Sequence, residues 1–298
     1  MIKKMRIRQK RHPHWLKVPM PGGNEFSTVR KLIQQNRLHT VCQSAHCPNI
    51  GECWGQRTAT FMILGNICTR NCSFCNIPVG KPAAVDADEP ERVAEAVKTL
   101  ELRYAVITSV TRDDLPDGGA SIFAETIKQI RNKVPDCRVE VLIPDFGGSL
   151  EALMKVIRMS PDVLNHNIET VPRLYSVVRP SANYQRSINV LDQAKKFGLL
   201  SKSGLMLGLG ETEHELTCVL QDLRKADCDF LTLGQYLQPS AAHFAINRYV
   251  PPEEFESIKH KAIKMGFRAV EAGPLVRSSY HAAASFEKNV IKRYEDFQ

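Results

Sequence analysis

Between Cys42 and Cys75 lie six of the chain's nine cysteines, spaced C-x4-C-x5-C and then C-x3-C-x2-C. Thiolates are the softest side-chain ligands and the strongest side-chain nucleophiles, so clustered cysteines mean metal binding, thiol redox chemistry or a disulfide framework. Each triplet supplies three donors, one short of the four that close a structural metal site. The N-terminal stretch "MIKKMRIRQKRHPHWLK" is basic, with no apolar core and no small-residue cleavage site, so no secretory signal is expected. A cytoplasmic chain follows as the expectation, and in a reducing compartment clustered cysteines read as metal ligands rather than disulfides. The remaining three, Cys137, Cys218 and Cys228, are scattered and read as small buried hydrophobes.

For Cys68, Cys72 and Cys75 three chemistries remain. Zinc would use the C-x2-C pair and borrow Cys47 or a histidine. A redox dithiol would use Cys72 and Cys75 and leave Cys68 idle. An iron–sulfur cluster of four irons held by three thiolates would leave one iron open to a non-protein ligand.

Short segments rich in β-branched and apolar residues predict strands at 58–64, 104–110, 138–143, 162–168, 203–209 and 230–236, with a shorter one at 267–272. Helical spacing fills the gaps. "DEPERVAEAVKTLE" opens on an acidic turn with Pro90, "YQRSINVLDQAKKFG" stops at Gly198, and Thr212 with Glu215 has the spacing of a capping box. "GASIFAETIKQIRNKV", "SLEALMKVIRMS" and "PPEEFESIKHKAIKMG" complete the set. Strands alternating with helices require a parallel sheet, since parallel neighbours need crossovers. The polar stretches "TRDDLPDGG", "PDFGG", "NIET", "GLGET", "QYLQPS" and "AGPLVRSSY" each follow a strand end. In a barrel such loops converge on one mouth. The expected architecture is therefore a partial barrel. Cys68, Cys72 and Cys75 sit on its first loop, and roughly the first 55 residues form an irregular wrap without clear periodicity.

The formal net charge is +8, and seven of the 40 Lys and Arg residues precede Val18. The excess is otherwise spread along the chain, which reads as a solvated arm and surface rather than a nucleic-acid stripe. No apolar run approaches the ~20 residues that span a bilayer. No nucleic-acid or membrane partner is expected.

The element "GNICTRNCSFC", with Phe74 before its last cysteine, resembles the signature of radical S-adenosylmethionine (SAM) enzymes. The resemblance implies a partial (β/α)6 TIM-type barrel with N- and C-terminal extensions. It also implies a 4Fe–4S cluster on Cys68, Cys72 and Cys75 whose open iron binds SAM, so that reductive cleavage yields a radical able to take hydrogen from an unactivated carbon. "CQSAHCPNIGECW", "VTRDDLPDGGA", "NHNIETV", "YSVVRPSANYQRS", "GLMLGLGET", "LGQYLQPS" and "GPLVRSSYHA" together resemble the lipoyl synthase family from about residue 12 to residue 282. That likeness implies a second 4Fe–4S cluster on Cys42, Cys47 and Cys53 with Ser279 as fourth ligand, Ser278 being the fallback. On its residues alone Ser279 reads as an N-cap of the last helix.

The implied reaction puts sulfur at C6 and C8 of an octanoyl chain on a lysine of a lipoyl carrier domain. The carriers would be 2-oxoacid dehydrogenase E2 subunits and the glycine cleavage H protein. The auxiliary cluster is the implied sulfur source, and a ferredoxin- or flavodoxin-type protein the implied electron donor. No catalytic side chain beyond the cluster ligands is implied. SAM contacts are expected from Phe74, Gly118, Gly119, Asn167, Glu169, Gly204 and Glu211, with weaker claims for Gly208 and Arg179. His39 and His46 read as ordinary loop histidines near the first triplet. The expected division is 1–55 for the auxiliary cysteines, 56–272 for the barrel and 273–298 for the R-S-S-Y extension.

Overall fold

The structure, a computed structural model, describes residues 12–291. Lys3, Lys4, Arg6, Arg8, Lys10 and Arg11 of the basic arm, and the end of the expected C-terminal extension, lie outside the described residues. Eight strands form one sheet in chain order. They are β1 (His39–Thr40), β2 (Thr60–Ile63), β3 (Tyr104–Ser109), β4 (Arg138–Leu142), β5 (Val163–Asn165), β6 (Leu200–Leu207), β7 (Phe230–Gln235) and β8 (Ala269–Gly273). β1 runs antiparallel to β2, and every later pair is parallel. Each parallel strand matches one of the seven predicted segments. β2 and β7 are buried along their whole length, as strands covered on both faces must be.

The helices are α1 (Asn24–Gln35), α2 (Val41–Ser44), α3 (Ile50–Gly55), α4 (Glu89–Thr99), α5 (Ala120–Lys133), α6 (Leu150–Ile157), α7 (Tyr175–Val178), α8 (Tyr184–Lys196), α9 (Glu213–Lys225), α10 (Pro252–Lys264) and α11 (Ala282–Phe286). The crossovers α4, α5, α6, α8, α9 and α10 supply the six βα units of the expected partial barrel, and β8 ends the series. The Thr212–Glu215 capping box forms reciprocally, and Gly198 takes φ 79° past the end of α8, as a C-terminal stop requires. Among the described residues no helix is long and apolar enough to cross a membrane.

The expected irregular wrap is corrected by α1. Val29, Leu32 and Ile33, at i, i+3 and i+4, are buried on one face, amid polar neighbours that obscure the period in the sequence. Val29, Leu32, Ile33 and Trp54 share a core with Phe61, Ile63, Ile107 and Val141 of the barrel, so no packing boundary falls at residue 55. Cys137 and Cys228 are buried as expected. Cys218 is corrected: it is half-exposed on α9, 3.7 Å from His214 Nε2.

The barrel interior is filled from the C-terminus. Ala282 and Phe286 of α11 pack against Tyr104, Val106, Val163, Phe230 and Ala269. Above them sits a buried polar layer. Lys202 Nζ donates to both Glu140 oxygens at 3.0 and 3.2 Å. Tyr104 Oη donates to Glu140 at 2.7 Å and Asn165 Nδ2 at 3.0 Å. Removing one partner of a buried pair leaves an uncompensated charge. Lys202→Met is thus expected to destabilise the chain by about 3–5 kcal/mol, read from the denaturant midpoint. Adding Glu140→Gln should recover most of that loss, and no recovery would show that the pair is not the cause.

Candidate active site

Thr40 ends β1 and caps α2, its hydroxyl accepting from Gln43 N at 3.3 Å. Because His39 and Thr40 pair with Met62 and Phe61 of β2, this cap holds Cys42, the second residue of α2, beside the barrel rim. The chain then turns through Cys47, whose N–H donates to Cys42 O at 3.0 Å, and reaches Cys53 in α3, where Thr58 N donates to Cys53 O at 2.8 Å.

The second triplet follows β2. Cys68 is clamped by Cys68 N to Pro78 O at 2.8 Å and Gly80 N to Cys68 O at 3.1 Å. Its Sγ accepts from Arg70 N at 3.4 Å and Thr111 N at 3.3 Å. Cys75 N donates to Cys72 O at 3.0 Å, and Ser73 bonds Val178 O and Phe244 N. Arg70 forks onto Asp113 at 2.7 and 2.8 Å and reaches Asp145 at 2.7 Å. The second loop is thereby tied to the loops after β3, β4, β5 and β7.

All six cysteines line one cavity of about 570 Å³ at the strand C-terminal ends. Ser278 and Ser279 line it too. The loop after β8 reaches the cavity because Gly234 on β7 has no Cβ, which would collide with Val276 O. Asn49 Nδ2 donates to Leu275 O at 2.7 Å, and Tyr280 Oη donates to Glu52 at 2.9 Å, so this loop is fastened to the first triplet's elements. Thr60 Oγ1 donates to Ser279 Oγ at 2.7 Å, beside Cys42, whose thiol faces the Thr60 N–H. Ser278 turns the other way and accepts from Asn167 Nδ2 at 2.6 Å. Ser279 caps no helix: α11 has His281 at its N-cap position without a side-chain cap bond.

Burial dominates the thiol electrostatics. It pushes Cys42 up to about 11 and Cys53 and Cys75 up to about 12. Within each triplet the thiols raise one another, Cys42 and Cys47 acting on Cys53, and Cys72 and Cys68 acting on Cys75. Buried thiols become thiolates when positive charge arrives to compensate them. Arginines face both triplets: Arg277 favours the Cys47 thiolate, and Arg179 with Arg70 that of Cys72, against burial in both cases. Among the described residues no group of three His, Cys, Asp or Glu is placed around a single metal ion.

Asn167, Glu169, Gly204 and Phe74 also line the cavity. Glu169 holds φ 68°, a left-handed backbone that costs a non-glycine residue about 1–3 kcal/mol. It is kept there by Glu169 N to Gly204 O and Met206 N to Glu169 O, each 2.9 Å. Arg179 Nη1 donates to Asn167 O and Ile168 O at 3.0 and 3.1 Å. Gly118, Gly119 and Glu211 are not among the lining residues. Gly118 packs on Phe146 and Gly119 on Leu64, as the turn into α5. Glu211 directs both oxygens at the N–H groups of Gly208 and Leu209, at 2.7 and 2.9 Å. His46 lines the cavity and meets Asn76 at 3.2 Å, and His39 lies in β1. Arg70, Asp113, Asp145, Asn49, Glu52 and Thr60 were not singled out from sequence. The only local signal was an arginine inside "CTRNC".

A family model for the radical SAM superfamily matches residues 62–223, and one for the N-terminal domain of lipoyl synthase of the radical SAM family matches residues 1–47. A lipoyl synthase of Roseiflexus sp. is 57% identical over 91% of both chains. One of Koribacter versatilis is 56% identical over 91% of this chain and 90% of its own. Among solved structures, the hydrogenase maturase HydG aligns with TM-score 0.54 at 14% identity, covering 76% of this chain and 62% of that one. Streptococcus suis SuiB bound to S-adenosylmethionine aligns with TM-score 0.52 at 8% identity, over 79% and 51%. These last two speak to the barrel alone. With both thiol triplets and the R-S-S-Y loop on one barrel mouth, and identity above one half across nearly the full length, the chain belongs to the lipoyl synthase family of radical SAM enzymes.

Proposed function

We propose that Cys68, Cys72 and Cys75 hold the 4Fe–4S cluster that binds SAM. In the same reading Cys42, Cys47, Cys53 and Ser279 hold an auxiliary 4Fe–4S cluster that donates sulfur. The chain is a lipoyl synthase, with SAM and 4Fe–4S clusters as cofactors and an octanoylated carrier protein as substrate. The observation that carries the assignment is one cavity lined by both triplets and both serines. A single acyl chain inside it faces the radical source and the sulfur source together, as two insertions on one chain demand. Ser279 is favoured over Ser278 by its bond to Thr60 beside Cys42.

The bound groups supply hydrogen abstraction and sulfide; the chain's residues position and shield them. The clamps on Cys68 and the Arg70 fork fix the second loop. Phe74, Asn167, Glu169 and Gly204 form the SAM side of the cavity, and Arg179 balances thiolate charge there. Gly118, Gly119 and Glu211 shape the backbone that borders it. We further assign the octanoyl-lysine positions as C6 and C8, and the carriers as E2 subunits and the H protein. A ferredoxin- or flavodoxin-type donor, a cytoplasmic location, and no nucleic-acid or membrane partner complete the reading. The segments 1–55, 56–272 and 273–298 are functional divisions of a continuous core.

Anaerobic reconstitution followed by iron and sulfide analysis tests the assignment. Two clusters per chain are expected, about eight irons, and replacing Cys68, Cys72 and Cys75 together by alanine should halve the iron. Unchanged iron, or zinc in its place, would refute it.

A further inference from the structure

We propose that Asn167 is a positioning residue that couples SAM occupancy to the Ser278–Ser279 loop, so that SAM binding tightens the loop carrying the auxiliary cluster's serine. The inference rests on the assignment of Asn167 and Glu169 to the SAM side. One amide touches both halves of the cavity: Asn167 Nδ2 donates to Glu169 Oε1 at 3.1 Å and to Ser278 Oγ at 2.6 Å. While ionised, the Glu169 carboxylate can only accept, and Asn167 then faces it with its NH2 group. The opposite atom, Oδ1, is buried without a partner among the described residues. It looks onto Gly204, where a Cβ would stand 2.8 Å from Oδ1 and 2.6 Å from Thr232 Oγ1. An orphaned buried acceptor on a residue that lines the cavity is a place for a ligand's donor group.

SAM carries such donors, an ammonium and two ribose hydroxyls. A donor satisfies Oδ1 only while the amide keeps its present face, and that face turns Nδ2 to Ser278. Flipping the amide would set NH2 against the donor and withdraw the bond to Ser278. Ligand and latch therefore favour the same rotamer, and each must strengthen the other by the same factor. Ser278 is covalently joined to Ser279, which Thr60 holds on the far side. The loop is thus held at one serine by the SAM side and at the next by the auxiliary side.

The test uses reconstituted holoenzyme under anaerobic conditions without reductant, so that SAM binds uncleaved. Hydrogen exchange is followed in segments 68–75 and 274–282 with and without SAM, alongside the SAM dissociation constant and the iron content. In the unsubstituted chain SAM should protect both segments. Ser278→Ala should keep full iron, lose the SAM-dependent protection of 274–282 alone, and bind SAM roughly fivefold more weakly. Ser278→Thr, which keeps the hydroxyl, should restore both. Equal protection of 274–282 in Ser278→Ala and in the unsubstituted chain would overturn the coupling. So would iron loss in Ser278→Ala, which would make Ser278 a ligand. Protection of neither segment would instead refute the cofactor assignment, and the coupling with it.

Discussion

Replacing Cys68, Cys72 and Cys75 by alanine is expected to reduce SAM cleavage to background, whereas replacing Cys42, Cys47 and Cys53 should leave cleavage and stop sulfur insertion. The two triplets share a cavity, the strand β2 and an Asn76 bond to Ser44 O at 2.9 Å, but their main clamps differ. The second hangs from β2 and is clamped by Pro78, Gly80, Thr111, Val178 and Phe244, none of which belongs to the first triplet's segment. The first is built on β1, α2 and α3 and tied to the loop after β8 through Asn49 and Glu52. Emptying one site therefore leaves the other's supports in place. Chromatographic 5′-deoxyadenosine separates cleavage from insertion, and mass spectrometry of an octanoyl-lysine peptide reports each added sulfur. Folded variants that lose cleavage equally would rule out separate roles.

The barrel was legible because its strands are continuous apolar runs and its crossovers carry their own start and stop signals, as at Thr212, Glu215 and Gly198. α1 escaped because a three-residue apolar stripe amid charges reads as loop. The cysteines were legible through type and spacing, which survive without knowledge of the fold. Their supports were not. Arg70 meets Asp113 43 positions away and Asn49 meets Leu275 226 positions away, separations that leave no local pattern. Glycine and glutamate in loops carry little signal for the opposite reason: they are common turn and cap residues. Gly118, Gly119 and Glu211 each serve the backbone next to them. Asn167, Glu169 and Gly204 differ only in lying where β5 and β6 open onto the cavity.

Ser279→Cys is expected to retain the auxiliary cluster and admit the first hydrogen abstraction, yet slow completed double insertion by about tenfold or more, a barrier rise of at least ~1.4 kcal/mol. Ser279 Oγ is 219 residues from Thr60 in sequence but bonded to it at 2.7 Å, on the wall that holds Cys42. A hydroxyl oxygen is a harder and poorer partner for cluster iron than a thiolate. With Ser279 as the proposed ligand of a sulfur donor that is consumed, the ligand must let go, and oxygen at this one corner would make that corner the weak one. A cysteine of similar size reaches the same place and closes the cluster with a fourth thiolate that holds longer. The expected signature is full iron, near-normal first-turnover 5′-deoxyadenosine and accumulation of singly sulfurated peptide. Ser279→Ala should differ by losing iron from the auxiliary site. Full double insertion at the unsubstituted rate by Ser279→Cys would show that the oxygen ligand's lability is not what turnover requires.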